Sequence, residues 1–161
     1  MSIDYTSTLD DFISKIHHSF EFMFSEYGFA IESSKAEQAH GDGAPRLEVS
    51  CESETSNSQV RFYAEAGFSV SVRFSRSEKA LWCDLESVLE FIEQKKADYF
   101  ASPEEYNIQI SIEHFSNLLK NNASVIYESY AKDSKKINKI EAYSASRDQK
   151  KIELLKAKYQ S

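Results

Sequence analysis

The fold is decided by the stretch from residue 47 to residue 75, which reads LEVSCESETSNSQVRFYAEAGFSVSVRFS. Apolar and polar side chains alternate in three runs of this stretch. The apolar positions are Leu47, Val49 and Cys51, then Val60, Phe62 and Ala64, and then Phe68, Val70, Val72 and Phe74. Alternation with a period of two is typical of antiparallel strands that bury one face and expose the other. The stretch therefore predicts a three-stranded antiparallel meander.

Loop lengths predict how these strands pair. A four-residue loop over Glu54–Asn57 sets Val49 opposite Phe62. A three-residue loop over Glu65–Gly67 sets Phe62 opposite Val70 and keeps one face apolar. A two-residue loop would instead mix apolar and polar side chains on the same face. We therefore expect the three-residue loop.

In this register the polar face of the meander brings together Tyr63, Arg61, Glu48, Ser69 and Arg73. Glu48 and Ser69 flank Tyr63 across the strands, and Arg73 lies near Arg61. Tyrosine and arginine carry much of the binding energy in protein interfaces. These five residues form the predicted contact patch, for which an ordinary solvated sheet face is the alternative interpretation.

Helical spacing is found on both sides of the meander. Apolar residues recur every three or four positions from residue 8 to residue 27, and Gly28 supplies a C-terminal stop. Phe22 falls on the polar side of this helix, so it is either covered by another element or exposed. Further helices are predicted to start at Asp84 and at Ser111.

Two short segments extend the predicted sheet. Phe29–Ser33 is a strand candidate that precedes a loop over 34–46, and the alternation in Tyr106–Ile110 suggests a fifth strand. Together the elements predict a single α+β domain. We expect an N-terminal helix, an antiparallel sheet of four to five strands, and two to three C-terminal helices packed mainly on one sheet face.

Charge is distributed unevenly along the chain. Residues 132–161 hold nine basic and four acidic residues, a net charge of +5, whereas residues 1–131 hold ten basic and 22 acidic residues, a net charge of −12. Apolar residues in the last segment have roughly helical spacing but low density. We therefore divide the chain into an α+β domain over 1–131 and a basic, loosely docked helical extension over 132–161. A nucleic-acid-binding arm is the less favoured interpretation of that extension.

The composition disfavours several functional classes. The chain has 161 residues and a net charge of −7, which argues against general nucleic-acid binding because phosphate neutralisation needs a basic surplus. No apolar run approaches the roughly 18 residues of a membrane span. The N-terminal sequence lacks the basic and apolar regions of a signal peptide, so we expect a cytoplasmic protein without membrane partners.

The sequence predicts no catalytic residue, no cofactor and no metal site. Phosphate-binding glycine loops and known nucleophile motifs are absent from it. Cys51 and Cys83 have no metal-binding spacing, so we expect two reduced core thiols. These absences favour a non-enzymatic protein that binds another protein, as a monomer or a homodimer.

The order of elements resembles that of the small acidic immunity proteins that neutralise bacterial polymorphic or contact-dependent toxins. An amphipathic helix leads into Tyr27-Gly28-Phe29, a short strand, the meander and further helices, over residues 8–130. The resemblance is one of layout and carries no diagnostic motif or functional residue. It implies a protein that binds and blocks one toxin domain, and an acidic body would suit a basic toxin.

Two alternative functions stay open. The α-β-β-β-α order is also similar to that of type III secretion chaperones, which hold an effector segment. The leucine-rich opening of those chaperones is replaced here by the aromatic-rich run from Phe12 to Tyr27. A small enzyme or ligand-binding domain without a recognisable motif is the other alternative.

Overall fold

The computed structural model describes residues 5–38, 45–55, 57–65, 69–76, 81–93, 108–130 and 135–159. Its helices are α1 (Thr6–Ser19), α2 (Glu21–Glu26), α3 (Leu85–Glu93), α4 (Ile108–Tyr130) and α5 (Lys136–Tyr159). Its strands are β1 (Ala30–Gln38), β2 (Pro45–Ser53), β3 (Ser58–Glu65), β4 (Ser69–Arg76) and β5 (Cys83–Asp84). The strands form one antiparallel sheet in sequence order, which confirms the predicted α+β class.

Both edges of the sheet differ from the prediction. β1 continues to Gln38, and β2 begins at Pro45, so much of the predicted loop is paired strand. The polar composition of this part of β1 suits an exposed edge strand, whose backbone pairs while its side chains stay in solvent. The fifth strand is β5, not Tyr106–Ile110, since Ile108 begins α4 and Tyr106 lies outside the described residues.

The predicted register is confirmed in one strand pair and wrong in the next. Val49 pairs with Phe62 across the four-residue loop, as expected. On the other side Phe62 pairs with Val72 rather than Val70, because the three-residue connection is 66–68, one position later than predicted. Moving a turn by one position shifts the register by two residues, which leaves every side chain on its predicted face.

The helices cover one face of the sheet. Apolar side chains of α1, α3 and α4 pack against that face and form one core with it. The largest fully buried side chains include Phe12, Phe20, Phe62, Phe74 and Phe115. Cys51 and Cys83 are both buried and unpaired, as predicted. The opposite face of the sheet is therefore the one that carries the predicted patch.

The N-terminal helix is interrupted. Phe20 leaves the helical conformation (φ −108°, ψ 24°) and separates α1 from α2. The break turns α2 so that Phe22 is only 7% exposed and its ring lies 6.3 Å from that of Phe20. Phe22 is therefore covered. Gly28 ends α2 with φ +70°, in the left-handed region that favours glycine.

The starts of the later helices also differ from the prediction. Asp84 belongs to β5, and α3 begins at Leu85. α4 begins at Ile108, so Ser111 is a buried residue of its first turn rather than its cap. The alternation over Ile108 and Ile110 was too short to separate a strand from a helix that is half-buried.

α5 has two halves with different surroundings. Its first half contacts α3, α4 and β5, with Ile137, Ile140 and Ser144 buried and Glu141 paired with Arg76. From Asp148 to the end of α5 every residue is exposed. None of the helices in the described part of the chain combines the length and apolar character needed to cross a bilayer.

Candidate contact surface on the open sheet face

We call the sheet face opposite the helices the open face. Alternation along the strands places its side chains, with one register shift in β1 between Ile31 and Ser33. It carries Lys35 and Glu37 on β1, Arg46, Glu48 and Glu52 on β2, Arg61 and Tyr63 on β3, Ser71 and Arg73 on β4, and Asp84 on β5. Trp82, directly before β5, borders this face.

Arg61 is held at the centre of the open face by three neighbours. Its guanidinium carbon lies 4.2 Å from the centroid of the Trp82 ring. Nη1 donates to the hydroxyl of Tyr63 at 3.4 Å and lies 4.0 Å from a carboxylate oxygen of Glu48. A cation over an indole face gains electrostatic energy. Arg61 is therefore oriented before any partner arrives.

Arg73 is arranged in a similar way one strand further on. It is the register partner of Arg61. Its guanidinium carbon lies 5.3 Å from the centroid of the Tyr63 ring, and its Nε lies 3.2 Å from a carboxylate oxygen of Asp84. Nearly half of the Arg73 side chain stays exposed. Two arginines thus flank the same tyrosine.

Acidic neighbours balance the cations toward β1. Glu48 lies between Arg61 and Lys35. The ammonium nitrogen of Lys35 is 3.4 Å from a carboxylate oxygen of Glu48 and 3.4 Å from one of Glu37. The charge of Glu48, followed by its hydrogen bond and then by the charge of Glu37, raises the pKa of Lys35. Lys35 is solvent-exposed, so these pairs order the surface more than they stabilise the fold.

Two shallow clefts lie beside the Tyr63 ring. The smaller, of about 160 Å³, is lined by Tyr63 with Lys35, Glu37, Arg46 and Glu48. The larger, of about 230 Å³, is lined by Tyr63 with Arg46, Ser71 and Arg73. Their polar walls and small volumes suit side chains of a partner rather than a buried organic ligand.

The structure brings four of the five residues of the predicted patch together and corrects the position of the fifth. Glu48, Arg61, Tyr63 and Arg73 are neighbours. Ser69 is not opposite Tyr63, because the shifted register pairs it with Glu65 and sets Ser71 beside Tyr63. The use of the patch as a binding site stays a prediction.

The sequence prediction missed Trp82 and Asp84. Both are placed by β5, a two-residue strand that is too short to produce a periodic signal. Arg46 was assigned to a loop, although it pairs with Glu37 across β1 and β2 and lines both clefts. A predicted β1 that extended to Gln38 would have placed Arg46 opposite Glu37.

The open face carries charges of both signs among the side chains that the structure describes, although the chain is acidic overall. The basic side chains are Lys35, Arg46, Arg61 and Arg73, and the acidic ones are Glu37, Glu48, Glu52 and Asp84. Exposed carboxylates also lie on α1 and α2, at Asp10, Asp11, Glu21 and Glu26. The open face therefore offers alternating charges around aromatic rings, not a single acidic field.

Burial shifts the pKa of two described groups with catalytic potential, Cys83 and His114. Cys83 lines an open groove of about 380 Å³, but burial raises the pKa of its thiol, opposed in part by a hydrogen bond with Ser144. A protonated thiol is a poor nucleophile. Burial lowers the pKa of His114, whose Nε2 has no hydrogen-bond partner in the described part of the chain. Among the described residues, no cluster of His, Cys, Asp or Glu could hold a metal ion.

No protein family model matches the sequence, no curated protein matches it at a significant level, and no solved structure is significantly similar to its fold. The geometry of the open face is therefore the basis for inferring a function.

Proposed function

We propose that this chain is a non-enzymatic binding protein that docks a protein partner on the open face. One observation carries the proposal. Arg61 and Arg73 lie opposite each other on a sheet face that no described helix covers, each over an aromatic ring and each beside a carboxylate. Aromatic rings and arginines at the centre of a patch are the side chains that most often dominate binding energy.

The arrangement favours binding because the side chains are already ordered. Immobilising a long side chain costs roughly 0.5–1.5 kcal/mol on association. Trp82 and Glu48 restrain Arg61, and Asp84 restrains Arg73, so part of that cost is met in the free protein. The donors of Arg73 that do not face Asp84 stay available for carboxylate or carbonyl oxygens of a partner.

The class of binding protein that we favour is an immunity-type inhibitor of a bacterial toxin domain. The layout resemblance of residues 8–130 supports it. The net charge of −12 over residues 1–131 would speed the approach of a basic toxin. The alternating charges of the open face would then select the cognate toxin among similar basic proteins, because mismatched like charges are costly.

Affinity capture from the lysate of the native host tests the proposal. Wild type, Tyr63→Ala and Arg73→Glu serve as baits. Lys120→Glu, at an exposed position of α4 in the helix layer, is the control with the same charge change as Arg73→Glu. We expect wild type and Lys120→Glu to retain one shared partner that Tyr63→Ala and Arg73→Glu lose. All four baits must show the same circular dichroism spectrum.

A second step separates the functional classes. The captured partner is purified and assayed alone and with one equivalent of this chain. A toxic or hydrolytic activity that wild type blocks and Arg73→Glu does not block supports the inhibitor. A partner that is soluble only with this chain and active after release indicates an effector chaperone. Equal capture by all baits would remove the open face from the binding site.

A further inference from the structure

The apolar stripe that docks α5 onto the domain continues beyond the domain. Leu155 follows Ile137 by about five helical turns, so both point to the same side of α5. Ile152 and Tyr159 lie within about 60° of that direction. Ile137 is buried, whereas Ile152, Leu155 and Tyr159 are 46%, 54% and 81% exposed. We call residues 148–159 the distal half of α5, and Ile152, Leu155 and Tyr159 its apolar stripe. Nothing in the described part of the chain covers this stripe.

A groove begins where this stripe ends. It has a volume of about 380 Å³ and lies between the segment before β5 and the first half of α5. Leu81 and Trp82 form one wall, and Ala142, Ala145 and Asp148 form the other. Leu81 is 54% exposed. The small alanine side chains leave room for larger apolar side chains between the two walls.

The charges beside the stripe and the groove are complementary. Lys151 and Lys158 flank the stripe on one side, and Lys156 flanks it on the other, from helical spacing. Pairing two distal halves with each other would bring these lysines together, which is unfavourable. The wall of the groove instead carries the exposed carboxylate of Asp148.

We propose that the distal half of α5 docks into the groove of a second copy of this chain. The stripe and the groove lie next to each other on α5. A two-fold axis near Gln149 would therefore pair the two α5 helices antiparallel, with the stripe of each copy in the groove of the other. Leu155 then packs against Ala145 and Leu81 of the second copy, and the flanking lysines approach its Asp148. The homodimer does not require the partner proposed for the open face, although Trp82 borders both surfaces.

Sedimentation velocity of the full chain, from about 1 to about 200 µM, tests the dimer. We expect a concentration-dependent monomer–dimer equilibrium whose dissociation constant rises with added NaCl. Leu155→Lys, which removes the central apolar side chain, and Ala145→Arg, which fills the groove, should each raise the dissociation constant roughly 100-fold. Both sites are exposed in the monomer, so melting of dilute samples should match wild type.

Leu154→Lys is the matched control. Leu154 is 71% exposed but points about 100° away from Leu155, toward the groove between α3 and α5. The variant should dimerise like wild type. A wild-type protein that stays monomeric over the whole concentration range would overturn the proposal. So would a dimer that Leu155→Lys and Ala145→Arg leave intact, or one that Leu154→Lys disrupts equally.

Discussion

Arg61 and Arg73 are direct register partners on β3 and β4, so two guanidinium groups share one cross-strand position on the open face. Like charges directly opposite each other weaken a strand pair. The Nε of Arg61 is also buried without an acceptor in the described part of the chain. Aromatic rings and carboxylates offset these costs, but an apolar or oppositely charged pair would stabilise the sheet more. A costly arrangement on a sheet face that no described helix covers supports the proposed binding role.

Removal of Arg73 should therefore leave stability almost unchanged. We expect Arg73→Gln to change the free energy of unfolding by less than about 0.5 kcal/mol, because the lost contacts are exposed and the repulsion by Arg61 is relieved. Val72→Ala, one residue away on the buried face, should cost about 2 kcal/mol through its cavity. Urea unfolding of both variants gives the comparison. A loss for Arg73→Gln as large as that for Val72→Ala would make Arg73 a structural residue.

Local periodicity predicted much of the sheet but could not determine the register between β3 and β4. Val49 and Phe62 were correctly opposed because the predicted loop over Glu54–Asn57 is the one that joins β2 and β3. Between β3 and β4, turns at 65–67 and at 66–68 bury the same side chains. Alternation alone therefore cannot tell whether Tyr63 faces Ser69 or Ser71.

Tertiary contacts decide the parts of the site that the sequence could not place. Trp82 reaches Arg61 because β5 adds to the edge of β4, and a strand of two residues gives no periodic signal. Phe22 is covered because the helix breaks at Phe20, although the spacing from residue 8 to residue 27 reads as one helix. In both cases packing overrode the local pattern.

Glu86 should make the protein less stable as the pH rises. Burial raises the pKa of this carboxyl in α3 above its ordinary value of 4.5, and the charge of Asp84 adds to the effect. The folded state then binds the proton more tightly than the unfolded state. Stability is therefore lost between pH 4.5 and the folded-state pKa and stays lower above it.

Glu86→Gln removes this dependence. We expect a higher melting temperature than wild type at pH 8 and no difference, or a reversed one, at pH 4. Glu26→Gln, at an exposed position in α2, should show no such change between the two pH values. Scanning calorimetry at both pH values gives the measurement. A lower melting temperature for Glu86→Gln at pH 8 would show that the charged carboxylate stabilises the fold.

Both cysteines should be unreactive in the folded protein. Burial raises the pKa of Cys51 to about 12 and also raises that of Cys83. With dithionitrobenzoate at pH 8 we expect no labelling in buffer and two equivalents in guanidinium chloride. Ser124→Cys, at an exposed position on α4, should add one fast-reacting thiol. Labelling of Cys83 in the native state would show that the groove beside Trp82 opens and would favour the enzyme alternative.

The contact between α3 and α5 should depend on a buried ion pair. Arg147 Nε lies 3.0 Å from a carboxylate oxygen of Glu90, which is 7% exposed and also accepts a 3.1 Å hydrogen bond from Tyr143. Arg147 further donates to the hydroxyl of Ser87 at 3.1 Å. Arg147→Met leaves the Glu90 charge without its cation, so we expect a loss of about 3 kcal/mol in the free energy of unfolding.

The double variant Arg147→Met with Glu90→Leu distinguishes a stabilising pair from a costly one. Replacing both charges by apolar side chains of similar size removes the desolvation penalty together with the attraction. We expect the double variant to lie within about 1 kcal/mol of wild type, well above either single variant. Urea unfolding of all four proteins completes the cycle. Additive losses in the double variant would show that each side chain stabilises the α3–α5 contact through its own packing.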